Sequence, residues 1–375
     1  MTGFLDTLIL DPRDIDLAAS PLAGRLDAET YILGAFNPGL TRLPNGNLLM
    51  MVRVAQALRA PIVDGMVRAI RWHDGDYHLD AWPLEAADTS DPRKFLLLGQ
   101  RWRTMALTSL SWLLPVELSE DGARIEAIHY DRAITPRVDH QCFGVEDARI
   151  SRVGERYYMT TCSVSPERHS TTLYTSADAI DWTYHGIVLD HQNKDMLIFE
   201  GLIEDKFWAQ TRPLGDLYFA YPPGSPWSPG PSINLATSPD ALHWKPFDRP
   251  GLRPAAHSPA SARMGGGAPP ILTRDGWLSL WHGVEPLGLV GAYKTYWALL
   301  DRDDPSRVLH RSDPHPLLSA RADLTAPIDD LMYLRDIVFT TGLVDGGDRY
   351  IVASGEADMA CRITHLPKTA FRPPT

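Results

Sequence analysis

The sequence has little that would cross-link the chain or hold it in a membrane. Its three cysteines, Cys142, Cys162 and Cys361, include no C-x-x-C pair, which argues against a disulfide framework and a zinc site. No segment approaches the roughly 18 consecutive apolar residues of a membrane-spanning helix. Acidic residues in the opening stretch, MTGFLDTLILDPRDIDL, do not fit a signal peptide. We therefore expect a cytoplasmic protein that binds no metal and uses no cofactor.

Positive charge is also scarce. The formal net charge of −11 gives no basic field that would attract nucleic acid or a membrane surface, so an anionic substrate would need cations inside a local site. The 375 residues, 44% of them hydrophobic, suffice for two average domains or one large domain built from repeats. The 11 tryptophans suit sugar stacking, although packing between strands explains them more simply.

A weak repeat runs along the chain. A polar turn followed by an aromatic or aliphatic strand occurs as NGNLLMMVRV (45–54), GERYYMTTCS (154–163), EDKFWAQTRP (204–213), RDGWLSLWHG (274–283) and GDRYIVASGE (347–356). Dipeptides such as Asn45-Gly46 favour tight hairpins, and the residues that follow favour strands. A second motif, Ser-x-Asp, occurs in the segments 118–127, 175–184 and 237–246, where it predicts an outer hairpin turn.

These repeats predict an all-β fold, a five-bladed β-propeller with one sheet per unit. A jelly roll or a β-sandwich is the alternative. We expect residues 1–30 to form an N-terminal arm and residues 31–375 to form the catalytic propeller, with an insertion at 88–103 over the pocket.

Charged residues interrupt the repeated strands near their ends. Arg53, Arg212 and His282 lie there, and the last strand leads to Asp358. If these strands surround a central channel, the side chains meet in one pocket, although each alone could be a structural ion pair.

Two short sequences stand out between the repeats. FGVEDARI (143–150) sets Glu146 and Asp147 beside Arg149, and one of the two carboxylates could face a dry pocket, where burial raises its pKa and suits it to proton donation. A turn carboxylate paired with Arg149 is equally compatible. In MGGGAPPI (264–271), the glycines permit a close backbone approach, either to a ligand or within a rigid turn.

In order along the chain, several segments resemble glycoside hydrolase family 130, the β-mannoside phosphorylases and related β-mannosidases. They are FNPG (36–39), LMMVRV (49–54), SLSW (109–112), GVEDARI (144–150), NKDMLIF (193–199), TRP (211–213), SPDALHW (238–244), GGGAPPI (265–271), WHGV (281–284), YWALLD (296–301) and SGEAD (354–358).

The resemblance implies a five-bladed propeller that cleaves a β-mannoside with inversion. Inorganic phosphate is then the nucleophile and α-mannose 1-phosphate the product. Asp147 matches the general acid, which acts through the mannose 3-hydroxyl. The phosphate-binding positions correspond to Arg53, Arg212, His282 and Lys194. Asp358 matches a residue that contacts the mannosyl unit, and we expect Asn37, Glu146 and Glu200 to contact the substrate as well. The partners are thus an oligosaccharide and phosphate, while the sequence leaves open whether the chain forms a homo-oligomer.

One departure keeps hydrolysis open. Where the family often has F-P-E-K, this chain has FEGL (199–202), so that Glu200 appears and Leu202 replaces a lysine. A carboxylate facing the pocket would repel phosphate and could activate water, as in an inverting hydrolase. The alternatives are therefore an inverting β-mannosidase acting on β-1,2-mannosides and, from a different class, a non-catalytic glycan-binding propeller.

Overall fold

The computed structural model describes residues 5–372, apart from residues 190, 216 and 289. Strands dominate this part of the chain. In order they are β1 (Leu5–Leu10), β2 (Thr30–Arg42), β3 (Leu48–Leu58), β4 (Ile62–Val63), β5 (Met66–His73), β6 (Asp76–Pro83), β7 (Ala87–Asp88), β8 (Lys94–Leu97), β9 (Thr104–Leu107), β10 (Ser109–Leu118), β11 (Ile125–Ile128), β12 (Val145–Val153), β13 (Arg156–Val164), β14 (His169–Ser176), β15 (Thr183–Leu189), β16 (Asn193–Ile198), β17 (Phe207–Pro213), β18 (Asn234–Ser238), β19 (Lys245–Pro246), β20 (Arg263–Gly266), β21 (Ile271–Thr273), β22 (Gly276–Glu285), β23 (Ala292–Leu300), β24 (Val308–Arg311), β25 (Val338–Asp345), β26 (Arg349–Glu356) and β27 (Ala360–Pro367).

Helical structure is confined to short turns. The α-helix α1 spans Ala322–Thr325, and 3-10 turns occur at Pro12–Asp14, Leu17–Ala19, Leu84–Ala86, Tyr130–Arg132, Asp139–Gln141, Ala326–Leu331 and Lys368–Phe371. No helix among the described residues has the length and apolar character to cross a membrane.

The larger sheets are antiparallel and follow one another along the chain. Sheet 1 contains β2, β3, β10 and β11, sheet 2 contains β12 to β15, and sheet 3 contains β16 to β19. Sheet 4 contains β20 to β24, and sheet 5 contains β25, β26, β27 and β1. Contacts between sheets run mainly through their first strands: β2 contacts β12 and β25, and β16 contacts β12 and β20. The fold is therefore all-β and propeller-like, as the repeats predict.

The repeated strands found in the sequence are β3, β13, β17, β22 and β26, the second strand of each sheet. This differs from the expectation that they are the innermost strands. Contacts with neighbouring sheets are made mainly by the first strands, β2, β12, β16, β20 and β25, and the pairing register shifts in four of them, β2, β12, β16 and β25. The second strands carry the stronger pattern because they lie between two neighbours in a regular ladder.

The Ser-x-Asp motif forms the turn between the third and fourth strands of sheets 1, 2 and 3, as predicted. The serine hydroxyl donates to the aspartate: Ser176 Oγ lies 2.9 Å from Asp178 Oδ1, and Ser238 Oγ lies 3.1 Å from Asp240 Oδ1. Each of these aspartates also accepts main-chain N–H groups further along its turn, which satisfies backbone donors that the hairpin leaves unpaired.

The first 30 residues contribute a strand to the fold. β1 pairs with β27 as the outer strand of sheet 5, so the beginning and the end of the described chain share one sheet. Asp6 on β1 accepts from Arg362 at 2.8 Å and from Arg321 at 3.0 Å. Residues 1–4 of the predicted arm lie outside the described residues.

The insertion is larger than the predicted 88–103. The whole segment between β3 and β10 folds as two three-stranded sheets, β4-β5-β6 and β7-β8-β9. Thr108 Oγ1 donates to the carbonyls of Pro92 and Arg93 and so anchors the second of these sheets.

Tryptophans fill the interior between sheets. Trp112, Trp277 and Trp281 are fully buried, and Trp281 stacks on Tyr296 with ring centroids 4.7 Å apart. Strand packing therefore accounts for these rings. All three cysteines are free and buried.

Candidate active site

Three neighbouring first strands contain the same irregularity. The pairing register breaks in β2 between Phe36 and Gly39, in β12 between Glu146 and Arg149, and in β16 between Lys194 and Leu197. The first residue of each irregular stretch is Asn37, Asp147 or Asp195, with φ of 49°, 52° and 56°. Asn and Asp tolerate this left-handed backbone better than other residues that carry a Cβ atom. Each bulge redirects a polar side chain that regular alternation would have placed elsewhere.

Asp147 is held by two side-chain donors from sheet 1. Asn37 Nδ2 donates to Asp147 Oδ1 over 2.9 Å, and Arg53 Nη1 donates to the same oxygen over 3.1 Å. The Asp147 main-chain carbonyl accepts from Arg149 Nη1 over 2.8 Å. The side chain is 10% exposed, so a substrate can reach it.

The pKa of Asp147 corrects one expectation from the sequence. Burial alone would raise it, but the positive charges of Arg53, Lys194 and Arg149 outweigh burial and hold the pKa well below its usual range. Asp147 is therefore ionised near neutral pH in these surroundings. A proton-donating role requires a further event that weakens the field of these cations.

Glu146 shares its cations with Asp147. Arg53 Nη2 lies 2.7 Å from Glu146 Oε1, and Lys194 Nζ lies 3.3 Å from Oε2. Adjacent residues in a regular strand point to opposite faces, so the sequence predicts that only one of the pair faces the pocket. The bulge at Asp147 breaks that alternation, and both carboxylates contact Arg53.

A second group of charges surrounds Asp195. Arg212 Nη2 lies 2.9 Å from Asp195 Oδ2, and Arg149 Nη2 lies 3.4 Å from Oδ1. His282 Nε2 lies 3.8 Å from Oδ2 and 3.4 Å from Arg212 Nη1. A small polar cavity of about 10 Å³, close to the size of one water molecule, is bordered by both Asp147 and Asp195, so the two groups are neighbours.

His282 is not one of the cations of the site. Burial lowers its pKa to about 3, although the charge of Asp195 opposes this shift. The imidazole is neutral near pH 7, and the positive charges come from the arginines and Lys194. His282 Nδ1 and Arg212 Nε are both buried without a hydrogen-bond partner among the described residues.

Asp195 is a member of the site that the sequence did not predict. The sequence does contain a signal for it: in both GVEDARI and NKDMLIF, the aspartate follows a charged residue and lies three residues before an isoleucine. The two aspartates occupy equivalent bulges, Asp147 in β12 and Asp195 in β16. The glycines of MGGGAPPI also serve these side chains. A Cβ atom on Gly265 would lie 2.5 Å from Asp195 Oδ2 and from His282 Cε1, so this glycine permits close packing.

Asp358 follows the end of β26 and has a φ of 50°. Its carboxyl interacts electrostatically with Arg53 and Asp147. Burial raises the pKa of its carboxyl to about 6, while Arg53 lowers it and Asp147 raises it further. The positive charge of Arg93, from the insertion, also lowers this pKa. A proton therefore resides more readily on Asp358 than on Asp147.

Glu200 is not brought to this site. Its Oε1 accepts from the Arg152 main-chain N–H over 3.2 Å, at the far end of β12 from Asp147. Five residues along a strand span about 16 Å. Burial raises the pKa of Glu200 to about 7. Its environment is unusual, but Glu200 lies too far away to activate a water at the Asp147 pocket.

A larger groove of about 860 Å³ opens elsewhere, between the strand ends of sheets 1 and 5. Its charged residues include Arg124, which pairs with Glu126, and Arg349, which pairs with Asp348. Because these charges already pair with each other, we do not assign the catalytic reaction to this groove. Within the described part of the chain, no group of three or more His, Cys, Asp or Glu side chains is arranged to hold a metal ion.

Comparison with known proteins identifies the family of the chain. The glycoside hydrolase family 130 model, described as beta-1,4-mannooligosaccharide phosphorylase, matches residues 101–370. A beta-1,2-mannobiose phosphorylase from Listeria innocua serovar 6a is 31% identical over 359 residues, covering 90% of this chain and 92% of the relative. A 1,2-beta-oligomannan phosphorylase from a Thermoanaerobacter species is 29% identical, covering 66% of this chain and 76% of the relative.

A solved structure extends the comparison to three dimensions. The beta-1,2-mannobiose phosphorylase from Listeria innocua, in complex with beta-1,2-mannobiose, superposes with a TM-score of 0.78 at 28% identity. The match covers 96% of this chain and 95% of the other. The extent of these matches shows that the chain belongs to glycoside hydrolase family 130.

Proposed function

We propose that this protein is an inverting β-mannoside phosphorylase, which uses inorganic phosphate to cleave a β-1,2-linked mannobiose or short oligomannan and releases α-mannose 1-phosphate. The linkage follows the Listeria and Thermoanaerobacter relatives, which are both named for β-1,2-mannosides. Phosphate acts as a co-substrate, and the reaction needs no cofactor.

The observation that carries this proposal is a pair of buried nitrogen atoms without partners in the described part of the chain, one on the Arg212 guanidinium and one on the neutral His282 ring. Arg212 Nε and His282 Nδ1 are buried and have no partner among the described residues. Buried polar atoms are costly unless a hydrogen bond satisfies them, and a phosphate oxygen would do so. We therefore assign Arg212 and His282, with Arg53 and Lys194, to phosphate. A guanidinium suits a phosphate dianion because it can donate two parallel hydrogen bonds.

The low pKa of Asp147 gives phosphate a second role. Phosphate brings negative charge close to Arg53 and Lys194, which weakens their hold on the Asp147 carboxylate and raises its pKa. Bound sugar also displaces water from the carboxyl. Asp147 then donates a proton to the departing sugar through the mannose 3-hydroxyl, as the family resemblance implies, while phosphate attacks the opposite face of the mannosyl ring. Asn37, Glu146 and Asp358 are proposed to contact the sugar.

The architecture proposed for this activity is a five-bladed propeller formed by residues 31–375, with sheets 1 to 5 as its blades. The first strands then surround a central channel, and their bulges open into the pocket. The arm at residues 1–30 closes the ring by adding β1 to sheet 5.

Hydrolysis by water is less well supported. That alternative depends on Glu200, and the Glu200 carboxylate accepts from the Arg152 main-chain N–H at the other end of β12. The test is to incubate the protein with β-1,2-mannobiose with and without phosphate and to separate the products by chromatography. We expect mannose 1-phosphate and mannose with phosphate, and no turnover without it. Release of free mannose alone, at the same rate in both buffers, would show a hydrolase. Absence of turnover with every mannoside would favour a glycan-binding propeller.

A further inference from the structure

Asp195 is a buried carboxylate at the centre of the cationic group. It occupies the bulge of β16, and its side chain is 1% exposed. Ionised carboxylates are rarely buried this deeply unless cations surround them. Cations lie beside both of its oxygens: Oδ1 accepts a hydrogen bond from Arg149, whereas among the described residues Oδ2 is held by charge alone, beside Arg212.

The partners of Asp195 come from three different sheets. Arg149 belongs to sheet 2, Arg212 to the same sheet as Asp195, and His282 to sheet 4. The Asp195 carboxylate lies 2.9 Å from Arg212 Nη2 and 3.4 Å from Arg149 Nη2. Arg149 in turn donates from Nη1 to the Asp147 carbonyl and from Nε to the Gly267 carbonyl. One carboxylate thus connects the arginine beside His282 to the backbone that presents Asp147.

We propose that Asp195 is a positioning residue for phosphate. Its carboxylate fixes Arg212 so that the unpaired Nε atom of the guanidinium, together with His282, meets an oxygen of phosphate. Asp195 itself touches neither phosphate nor sugar. This inference rests on the proposed function, because it assigns Arg212 and His282 to phosphate.

Charge and position predict opposite effects when Asp195 is neutralised. Removing a negative charge beside Arg212 makes the site more positive, so electrostatics alone predicts tighter phosphate binding. Loss of the ion pair frees the long Arg212 side chain, and ordering that side chain again when phosphate binds costs free energy. A positioning role therefore predicts weaker phosphate binding. The sign of the change therefore decides between the two.

The experiment compares Asp195→Asn with the wild-type enzyme. We expect the KM for phosphate to rise at least tenfold, while the KM for mannobiose and kcat at saturating phosphate change far less. Calorimetric titration with inorganic phosphate, without sugar, gives the same comparison independently of turnover. An unchanged or lower phosphate KM and Kd would overturn the proposal.

Asp6→Asn is the matched control. Asp6 is also a buried carboxylate between two arginines, Arg321 and Arg362, but it lies on the outer strand of sheet 5. The Asp6→Asn substitution should lower the melting temperature without changing the KM for phosphate. A rise in phosphate KM in both variants would assign the effect to general destabilisation and overturn a positioning role.

Gly265→Ala provides a second variant that retains every charge. The added methyl group would press on Asp195 and His282. We expect the phosphate KM to rise here as well, and an unchanged value would count against the proposal even if Asp195→Asn failed to fold. If the wild-type enzyme gave no phosphate-dependent turnover, the proposed function would fail, but phosphate titrations of the wild type and the two variants would still test the role of Asp195.

Discussion

Replacing Asp147 with asparagine separates the proposed proton transfer from substrate binding. The new amide oxygen can still accept from Asn37 Nδ2 and Arg53 Nη1, which lie 2.9 and 3.1 Å from Asp147 Oδ1. The two side chains have nearly the same shape, so the pocket should keep its form. We expect Asp147→Asn to leave the KM values for mannobiose and phosphate little changed and to lower kcat.

The size of the loss follows from the role of the group. A positioned general acid contributes about 10²- to 10⁴-fold to a rate, equivalent to about 3–5 kcal/mol of activation free energy. Folding stability should also fall, because the attraction of Arg53, Lys194 and Arg149 for the Asp147 carboxylate outweighs the cost of burying that charge. A melting curve of the variant separates this loss from the loss of kcat.

The assay uses two donors that differ in their need for a proton. β-1,2-Mannobiose releases an alkoxide-like leaving group that must be protonated, whereas nitrophenyl β-mannoside releases a stable nitrophenolate. Asp147→Asn should impair phosphorolysis of the disaccharide far more than that of the nitrophenyl donor. Glu200→Gln is the matched control, because it removes the charge of a half-buried carboxylate at the far end of β12.

Two results would refute this reasoning. Equal losses with both donors would mean that Asp147 supports binding or pocket structure rather than protonation. Full activity of Asp147→Asn on mannobiose would remove the residue from the catalytic step, and Asp358, whose pKa is raised to about 6, would become the next carboxyl to test.

Three further predictions concern charge and packing. Arg53→Lys keeps the charge but cannot span Glu146 and Asp147, so kcat/KM for phosphate should fall about ten- to a hundredfold in phosphorolysis kinetics; wild-type kinetics would contradict the assigned phosphate contact. Because burial raises the pKa of Glu200 from 4.5 to about 7, its neutral form favours folding at low pH, and that stabilisation is lost as pH rises through this window. The stability of Glu200→Gln relative to the wild-type protein should therefore rise from pH 4.5 to 7 in urea unfolding, and a parallel pair of curves would contradict this. Trp281→Ala should cost about 3–5 kcal/mol of unfolding free energy, because the ring is fully buried against Tyr296, and a loss below about 1 kcal/mol would mean that the site repacks.

The sequence alone was enough for the all-β repeat and for much of the site. Turn-plus-strand motifs identified one strand of each larger sheet, and the Ser-x-Asp motif identified three hairpin turns. These signals are local, because a turn or a strand depends on a few neighbouring residues. The same motifs could not tell the second strand of a sheet from the first, since the first strands are interrupted by bulges and show no regular pattern.

The charges in the pocket depended on tertiary structure. The sequence near Asp147 does not reveal that Lys194 from sheet 3 and Arg53 from sheet 1 lower its pKa. Likewise, His282 is neutral because residues distant in sequence bury its ring. The sequence did not predict Asp195 as a site residue, because its partners lie on three sheets. It did predict Glu200, because residues close to Glu200 in sequence belong to the site.

The sequence by itself thus determined which residue types this protein has available for binding a sugar and phosphate, and the strands that carry most of them. The tertiary structure decided which of those residues meet, because bulges in β2, β12 and β16 turn Asn37, Asp147 and Asp195 away from regular alternation. It also decided their protonation, since a pKa reports the burial and charges that surround a group in space, whatever the separation along the chain.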